Sequence, residues 1–245
     1  MKAPLFLMYF VLILVSCKEE VSSDYVPTQY AKMKLNLQFN GEELKLNEIV
    51  QMYDNRFKFE RVAFFTSEIK LDNKQVLDAA FFNAEDGNDI FLIEKKFDEA
   101  GELSFNIGVN EELNHQDPAA FDNNHPLNIT NVDGLHWGWN PGYVFVAIEG
   151  KVDTIPDDNL DNFDHSFIYH VGNDDNLTTK SFNNISANLV QDSITEISLN
   201  LDLNDFLDGS AGKINVRTEN SMHGGNQTGT LADKVVANFN EALTK

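Results

Sequence analysis

Asp133-Gly-Leu-His-Trp-Gly-Trp-Asn-Pro-Gly-Tyr143, followed directly by Val144-Phe-Val-Ala-Ile-Glu-Gly150, is the stretch from which the fold is most readily predicted. The first segment contains both tryptophans of the chain and one of its six histidines. The second is a continuous apolar run, which predicts a strand buried on both faces and ended by a turn at Glu149-Gly150. Because a buried tryptophan or histidine needs a partner for its N–H, the first segment is either a core cluster beside a turn or part of a binding site.

Other segments with apolar residues at alternate positions recur along the chain and predict further strands. They span residues 33–39, 57–71, 76–82, 90–93, 103–109, 167–171, 189–190 and 194–203. Residues 110–133 have no periodicity and predict a long loop, which is usually functional or disordered. Leu231–Leu243 has apolar residues four apart and predicts an amphipathic helix. We therefore expect an all-β fold, a single-domain antiparallel β-sandwich with a C-terminal helix, over residues 32–245.

The N-terminal residues predict an exported lipoprotein. Leu5–Val15 is an apolar run of signal-peptide length, so residues 1–16 are expected to be a signal peptide. Leu14-Val-Ser-Cys17 resembles a bacterial lipobox, which implies cleavage before Cys17, attachment of lipid such as palmitate to its thiol, and anchoring to a membrane. Residues 17–31 are then a lipid-anchored linker. The expected location is the outer membrane, facing the periplasm or the cell surface.

The net charge and the absence of several catalytic and nucleotide-binding motifs argue against some classes of function. A formal net charge of −21 argues against nucleic-acid binding, because phosphates prefer a basic surface. The sequence contains no nucleophile elbow, phosphate-binding glycine loop or dinucleotide fingerprint, and we expect a binding protein, not an enzyme. Acidic turns such as Asn173–Asn176 are candidates for calcium, although none has the EF-hand pattern.

Four histidines lie in polar, turn-like contexts that sandwich loops can bring together: His115, His136, His170 and His223. No pair has the close spacing of a helical zinc site, so a metal site would have to be assembled from separate loops. Imidazole suits zinc, copper, iron and nickel alike. For each histidine taken singly, a hydrogen-bonded structural role is the alternative.

Taken together, these segments resemble the MbnP-like family, the methanobactin-associated periplasmic copper-binding proteins. The resemblance covers nearly the whole mature chain and rests on residues 106–109, 113–118, 133–139, 141–145, 148–150, 167–172 and 223–224. The block from Trp137 to Tyr143, together with Tyr169-His-Val-Gly172, is the most specific part.

The resemblance implies an envelope protein that binds copper, in copper acquisition or homeostasis. It also implies a tryptophan oxidised to kynurenine by a dihaem partner related to the cytochrome c peroxidases. By position, His115 and His170 are implied as ligands, with His136 and His223 as additional ones.

Trp137 or Trp139 is implied as the oxidised residue. In an extended segment Trp137 and Trp139 share one face and His136 lies on the other, so we rank His136 lower.

Two other functions are compatible with the same residues. The first is a surface module that binds a glycan or peptide on an aromatic platform of Trp137, Trp139 and Tyr143. The second is a metallohydrolase in which Asp117, close to His115, acts as the carboxylate base.

Overall fold

The computed structural model describes residues 30–86, 90–94, 101–138, 141–155, 159–160, 162–185, 194–223 and 230–245. The predicted signal peptide, Cys17 and nearly all of the predicted linker lie outside the described residues, as do Trp139 and the predicted strand at 189–190. Within the described part of the chain, no helix is long and apolar enough to cross a membrane.

Strands predominate among the described elements. In chain order the elements are β1 (Tyr30–Phe39), β2 (Glu42–Glu43), β3 (Ile49–Met52), β4 (Asn55–Leu71), β5 (Lys74–Asn83), β6 (Ile90–Glu94), β7 (Glu102–Ile107), α1 (Glu111–Asn114), β8 (Val144–Asp153), β9 (His165–Gly172), β10 (Thr178–Asn183), β11 (Ile194–Asp202), α2 (Leu203–Leu207), β12 (Asp208–Gly209), β13 (Gly212–Lys213), β14 (Ser221–Met222), α3 (Thr230–Ala242) and β15 (Leu243–Thr244).

The strands form two principal sheets. The larger has the order β10-β7-β4-β8-β9-β14, with β3 and β5 also paired to β4, and the smaller has the order β15-β11-β1-β2, with β6 also paired to β1. The pairings are antiparallel except for β1 with β11 and β9 with β14. The predicted all-β sandwich with a C-terminal helix is confirmed, and the parallel pairings are an addition that alternation in the sequence does not predict.

The apolar run in β4 reflects burial on both faces of the larger sheet. Val62 and Phe64 point into the main core between the layers. Ala63 and Phe65 point the other way, into a second hydrophobic cluster. That cluster is covered by the segment predicted as a long loop, which contributes buried side chains such as Leu127 and Val132. The loop is therefore part of the packed structure.

The turn predicted at Glu149-Gly150 is wrong, because β8 continues to Asp153. Gly150 lies inside the strand, at an irregularity in the pairing with β4. A Cβ atom there would lie 2.3 Å from the backbone oxygen of Lys58 and 2.6 Å from Cζ of Phe167. Glycine is needed at this position because neighbouring groups approach the backbone closely. Because β8 extends to Asp153, Glu149 lies on a strand.

Candidate metal centre

A cluster of His170, His223 and Trp137 lies on the outer face of the larger sheet. Along β9, Tyr169 and Val171 point into the main core, so the strand alternation directs His170 to the opposite face. His170 pairs across the sheet with Ala147 of β8, and only 9% of the residue is exposed.

Strand pairing brings His223 to His170. Met222 of β14 is in register with Tyr169 of β9, and the strands run parallel, so His223 follows Met222 to the level of His170. Their Nδ1 atoms are 2.9 Å apart, and their ring centroids 4.9 Å apart. At that distance one Nδ1 donates a proton to the other, so the two imidazoles share a single hydrogen bond.

Glu149 orients the other side of the His170 ring. Its Oε1 atom lies 2.8 Å from His170 Nε2. Because a carboxylate only accepts, Nε2 carries the proton and Nδ1 presents its lone pair towards His223. Burial lowers the pKa of His170, against the opposing effect of Glu149, and thereby favours the neutral imidazole. A neutral imidazole whose second nitrogen donates to a carboxylate is the usual arrangement of a metal-binding histidine.

Trp137 closes one side of the histidine pair. Its ring centroid lies 5.5 Å from that of His223, nearly edge-on, and 6.4 Å from that of His170. The indole also packs against Gly172 at the end of β9, where a Cβ would come within 2.9 Å of its Cζ3 atom. The backbone N–H of Trp137 donates to the carbonyl of Gly142 at 2.9 Å. The position of the indole is therefore set by both the sheet and its own turn.

Arg61 connects Glu149 to Asp133, which begins the segment 133–143 that contains both tryptophans (the tryptophan segment). This residue of β4 lies opposite Glu149 in the sheet, and its Nη1 atom is 3.3 Å from Glu149 Oε1. Its Nη2 atom donates to the backbone carbonyl of Asp133 at 2.7 Å and also to the Asp133 carboxylate.

The remaining two predicted ligands belong to other networks. Nε2 of His115 is 2.8 Å from the Asp174 carboxylate, which also accepts a hydrogen bond from Asn114. His136 packs edge-on against the Tyr143 ring, and its Nδ1 accepts a hydrogen bond from the N–H of Gly138. Burial lowers the pKa of His136.

The structure thus pairs His170 with His223, which the resemblance implied only as an additional ligand. His115, implied as the partner of His170, is instead bonded to Asp174. The sequence also missed Glu149 and Arg61. The alternation in β8 could have placed Glu149 on the same face as Ala147, but only the strand register shows that His170 and Arg61 are its neighbours.

Comparison with known proteins identifies the family. The family model described as MbnP matches residues 28–226, which include every residue of the centre described above. The chain belongs to the MbnP family. Among solved structures, MbnP from Methylosinus trichosporium is similar at 17% identity and a TM-score of 0.47, over 74% of this chain and 78% of that chain. No curated protein matches.

The donors that this MbnP family member offers at the cluster limit which metal would fit there. Among the described residues, no group of three or more His, Cys, Asp or Glu side chains is placed to hold a metal ion, so the centre offers two imidazoles. Structural zinc takes four protein ligands, whereas nitrogen donors also suit copper. Two imidazoles therefore fit copper better than structural zinc, provided that a further donor is available.

Proposed function

We propose that this protein binds copper in the bacterial envelope through Nδ1 of His170 and Nδ1 of His223, with Trp137 beside them. Binding requires the proton on Nδ1 of His223 to move to its Nε2, so that both Nδ1 atoms present a lone pair. The observation that supports this most directly is the contact of His170 with both His223 and Glu149, at 2.9 and 2.8 Å. Bound copper would supply a redox-active cation, and the protein would act as a binding protein in copper acquisition or homeostasis.

Trp137 is the residue we propose for oxidation to kynurenine. Oxidative cleavage of the indole C2–C3 bond, with the electrons passing to the oxidase and its peroxide co-substrate, would leave a carbonyl at C3 and a formyl group on the nitrogen. Hydrolysis of that group as formate would give an aniline nitrogen, the further donor that two imidazoles require. The half-buried ring lies next to both histidines, so its product would form at the metal site. We propose a dihaem oxidase of the cytochrome c peroxidase type as the partner, and lipid anchoring through Cys17 to hold the protein at the outer membrane.

Cu(I) titration of metal-free protein against a competing chelator tests the ligand assignment. We expect His170→Ala and His223→Ala to weaken binding more than His115→Ala or His136→Ala, which serve as matched controls because each removes one partly exposed imidazole from another network. Equal binding by wild type and the His170→Ala, His223→Ala double variant would disprove the proposal. A larger loss of Cu(I) affinity in His115→Ala than in His170→Ala or His223→Ala would instead place the site at His115 and Asp174.

Peptide mass analysis of protein from its native host tests the modification. We expect the peptide containing Trp137 to show the mass increase that results when one ring carbon is replaced by oxygen. Copper content is measured in the same preparation. An unmodified Trp137 in copper-loaded protein would exclude the kynurenine donor while leaving the histidine pair as the site.

The structure does not favour the two other functions. Tyr143 is fully buried and its hydroxyl donates to the carbonyl of Leu127, so it is not available for an aromatic platform. The Asp117 carboxylate accepts from the N–H of Ala119 at 2.9 Å and caps a short 3₁₀ turn. That contact gives Asp117 a structural role.

A further inference from the structure

Arg61 is a charged residue within the largely apolar central part of β4. Its side chain is 18% exposed, far less than is usual for arginine, and lies on the same sheet face as the histidine pair. Both ends of the guanidinium are engaged. Nη1 contacts Glu149, while Nη2 binds the backbone oxygen and the carboxylate of Asp133.

These contacts join two parts of the candidate metal centre that are distant in sequence. Glu149 Oε1 accepts from both Arg61 and His170, so the guanidinium fixes the carboxylate that orients the imidazole. Asp133 begins the turn that leads to Trp137, and both Asp133 and Gly134 have positive φ values, of 49° and 74°. A single side chain therefore holds the start of the tryptophan segment against the carboxylate of the histidine pair.

Arginine is specifically suited to this role. Its planar fork presents several N–H donors in a fixed geometry, so it can bind Glu149 and Asp133 at the same time. A lysine has a single ammonium group on a flexible chain and would not hold both carboxylates in the same arrangement.

We propose that Arg61 is a positioning residue, which keeps Trp137 packed against His170 and His223 by tying Asp133 to Glu149. The part of this proposal that concerns copper rests on the proposed function. The part that concerns the position of Trp137 is a property of the metal-free protein and stands independently.

If Arg61 acted only on stability, loss of its contacts would lower the thermal midpoint and leave the environment of Trp137 in the folded protein unchanged. The Asp133 side chain is 49% exposed, and ion pairs at such positions contribute little to folding stability. Loss of the Arg61–Asp133 contact should therefore leave the thermal midpoint close to that of wild type. The effect of a positioning residue would instead be local, on the environment of Trp137 and on ligand geometry.

The experiment uses Trp139→Phe protein, so that fluorescence reports only on Trp137. Arg61→Lys keeps the charge but removes the fork. Asp133→Asn removes only the charge of the second partner, at a half-exposed position, because the backbone carbonyl of Asp133 still accepts from Arg61. Glu196→Gln is the matched control, because it breaks the 2.9 Å Lys32–Glu196 ion pair on the smaller sheet. Emission maximum and anisotropy are measured without metal on protein produced in a host without the oxidase, in which Trp137 remains an indole. The protonated ring nitrogen of His170 is identified in the same protein by ¹⁵N NMR. Cu(I) affinity is measured by chelator competition on metal-free protein from the native host.

We expect red-shifted emission and lower anisotropy in Arg61→Lys, and a smaller change in the same direction in Asp133→Asn, because the Asp133 carbonyl still accepts from Arg61. Glu196→Gln should show no change. In Asp133→Asn the proton should stay on Nε2 of His170, because Glu149 still accepts it. Copper affinity should fall about 10- to 100-fold in both variants, the usual effect of removing a residue that supports a metal ligand.

Wild-type emission in both variants would overturn the proposal. Shifted emission with unchanged copper affinity would confirm that Arg61 positions Trp137 and would overturn the part that concerns copper. If wild-type protein from the native host fails to bind copper, the proposed function is wrong, but the metal-free emission still decides whether Arg61 positions Trp137. If Arg61→Lys does not fold, Asp133→Asn decides the same question.

Discussion

Gly172→Ala tests whether the contact between β9 and Trp137 is as close as the structure indicates. The added Cβ would lie 2.8 Å from the backbone oxygen of Tyr143 and 2.9 Å from Cζ3 of Trp137. Neither distance is compatible with a real carbon contact, so both neighbours must move. Because the Tyr143 oxygen is held by the start of β8, we expect the indole to move further, away from His170 and His223.

The magnitude follows from two opposing contributions. Overpacking a close contact costs about 1–3 kcal/mol. Replacing glycine by alanine restricts the unfolded chain and regains about 0.4–1 kcal/mol. We therefore expect Gly172→Ala to lower the free energy of unfolding by up to about 2.6 kcal/mol, with a central value of about 1.3 kcal/mol. In addition, the fluorescence of Trp137 should shift to the red, since the ring leaves its packed position.

Urea unfolding followed by circular dichroism gives the free energy, and emission in the Trp139→Phe background gives the position of the indole. Gly101→Ala is the matched control, because its Cβ would meet only Asp72 Oδ1, at an ordinary 3.6 Å. A Gly172→Ala protein as stable as wild type, with unchanged emission, would refute the close packing of Trp137 on β9.

Three further predictions concern the scaffold. Asp153→Asn should destabilise the protein by about 3–5 kcal/mol in urea unfolding, because it leaves the buried Arg56 guanidinium without its paired charge; wild-type stability would contradict this. Phe65→Ala should cost about 3–5 kcal/mol and loosen the second hydrophobic cluster, which hydrogen exchange would detect as reduced protection of the residues that cover it; unchanged protection would count against that role. Burial alone would raise the pKa of Asp164, but hydrogen bonds from the hydroxyl and N–H of Thr154 lower it to about 2. Since the folded pKa lies below the unfolded value, the carboxylate stabilises the fold above about pH 4 and this contribution is lost as the pH falls towards 2. The stability difference between wild type and Asp164→Asn, measured by thermal unfolding across this range, should therefore shrink on acidification, and a constant difference would rule out the pKa shift.

Local patterns in the sequence predicted most of the fold. Alternation gave the strand at 103–109, observed as Glu102–Ile107, and the four-residue spacing gave the final helix, observed as Thr230–Ala242. The segment predicted as a strand at 57–71 is observed as the strand Asn55–Leu71. The error at Glu149-Gly150 has a physical reason. Glycine marks turns and close approaches alike, and only the presence of Phe167 and the Lys58 carbonyl distinguishes them.

The candidate metal centre was predicted in its residue types but not in its pairing. The sequence singled out His170, His223 and Trp137 among others, because histidine and tryptophan in polar turns are uncommon. The family resemblance implied His115 and His170 as ligands and His223 only as an additional one. Nothing local in the sequence indicates that β14 runs parallel to β9 and brings His223 to His170.

By itself the sequence determined the strand-rich class, the terminal helix and the short list of side chains able to bind a metal, because these depend on residue type and local periodicity. The tertiary structure decided which of those side chains meet and which groups orient them. Arg61, Glu149 and His170 come together through the register of three neighbouring strands. Trp137 reaches His170 and His223 because Gly172 leaves room for its ring. Register and steric room are relations between distant segments, and no single stretch of sequence contains them.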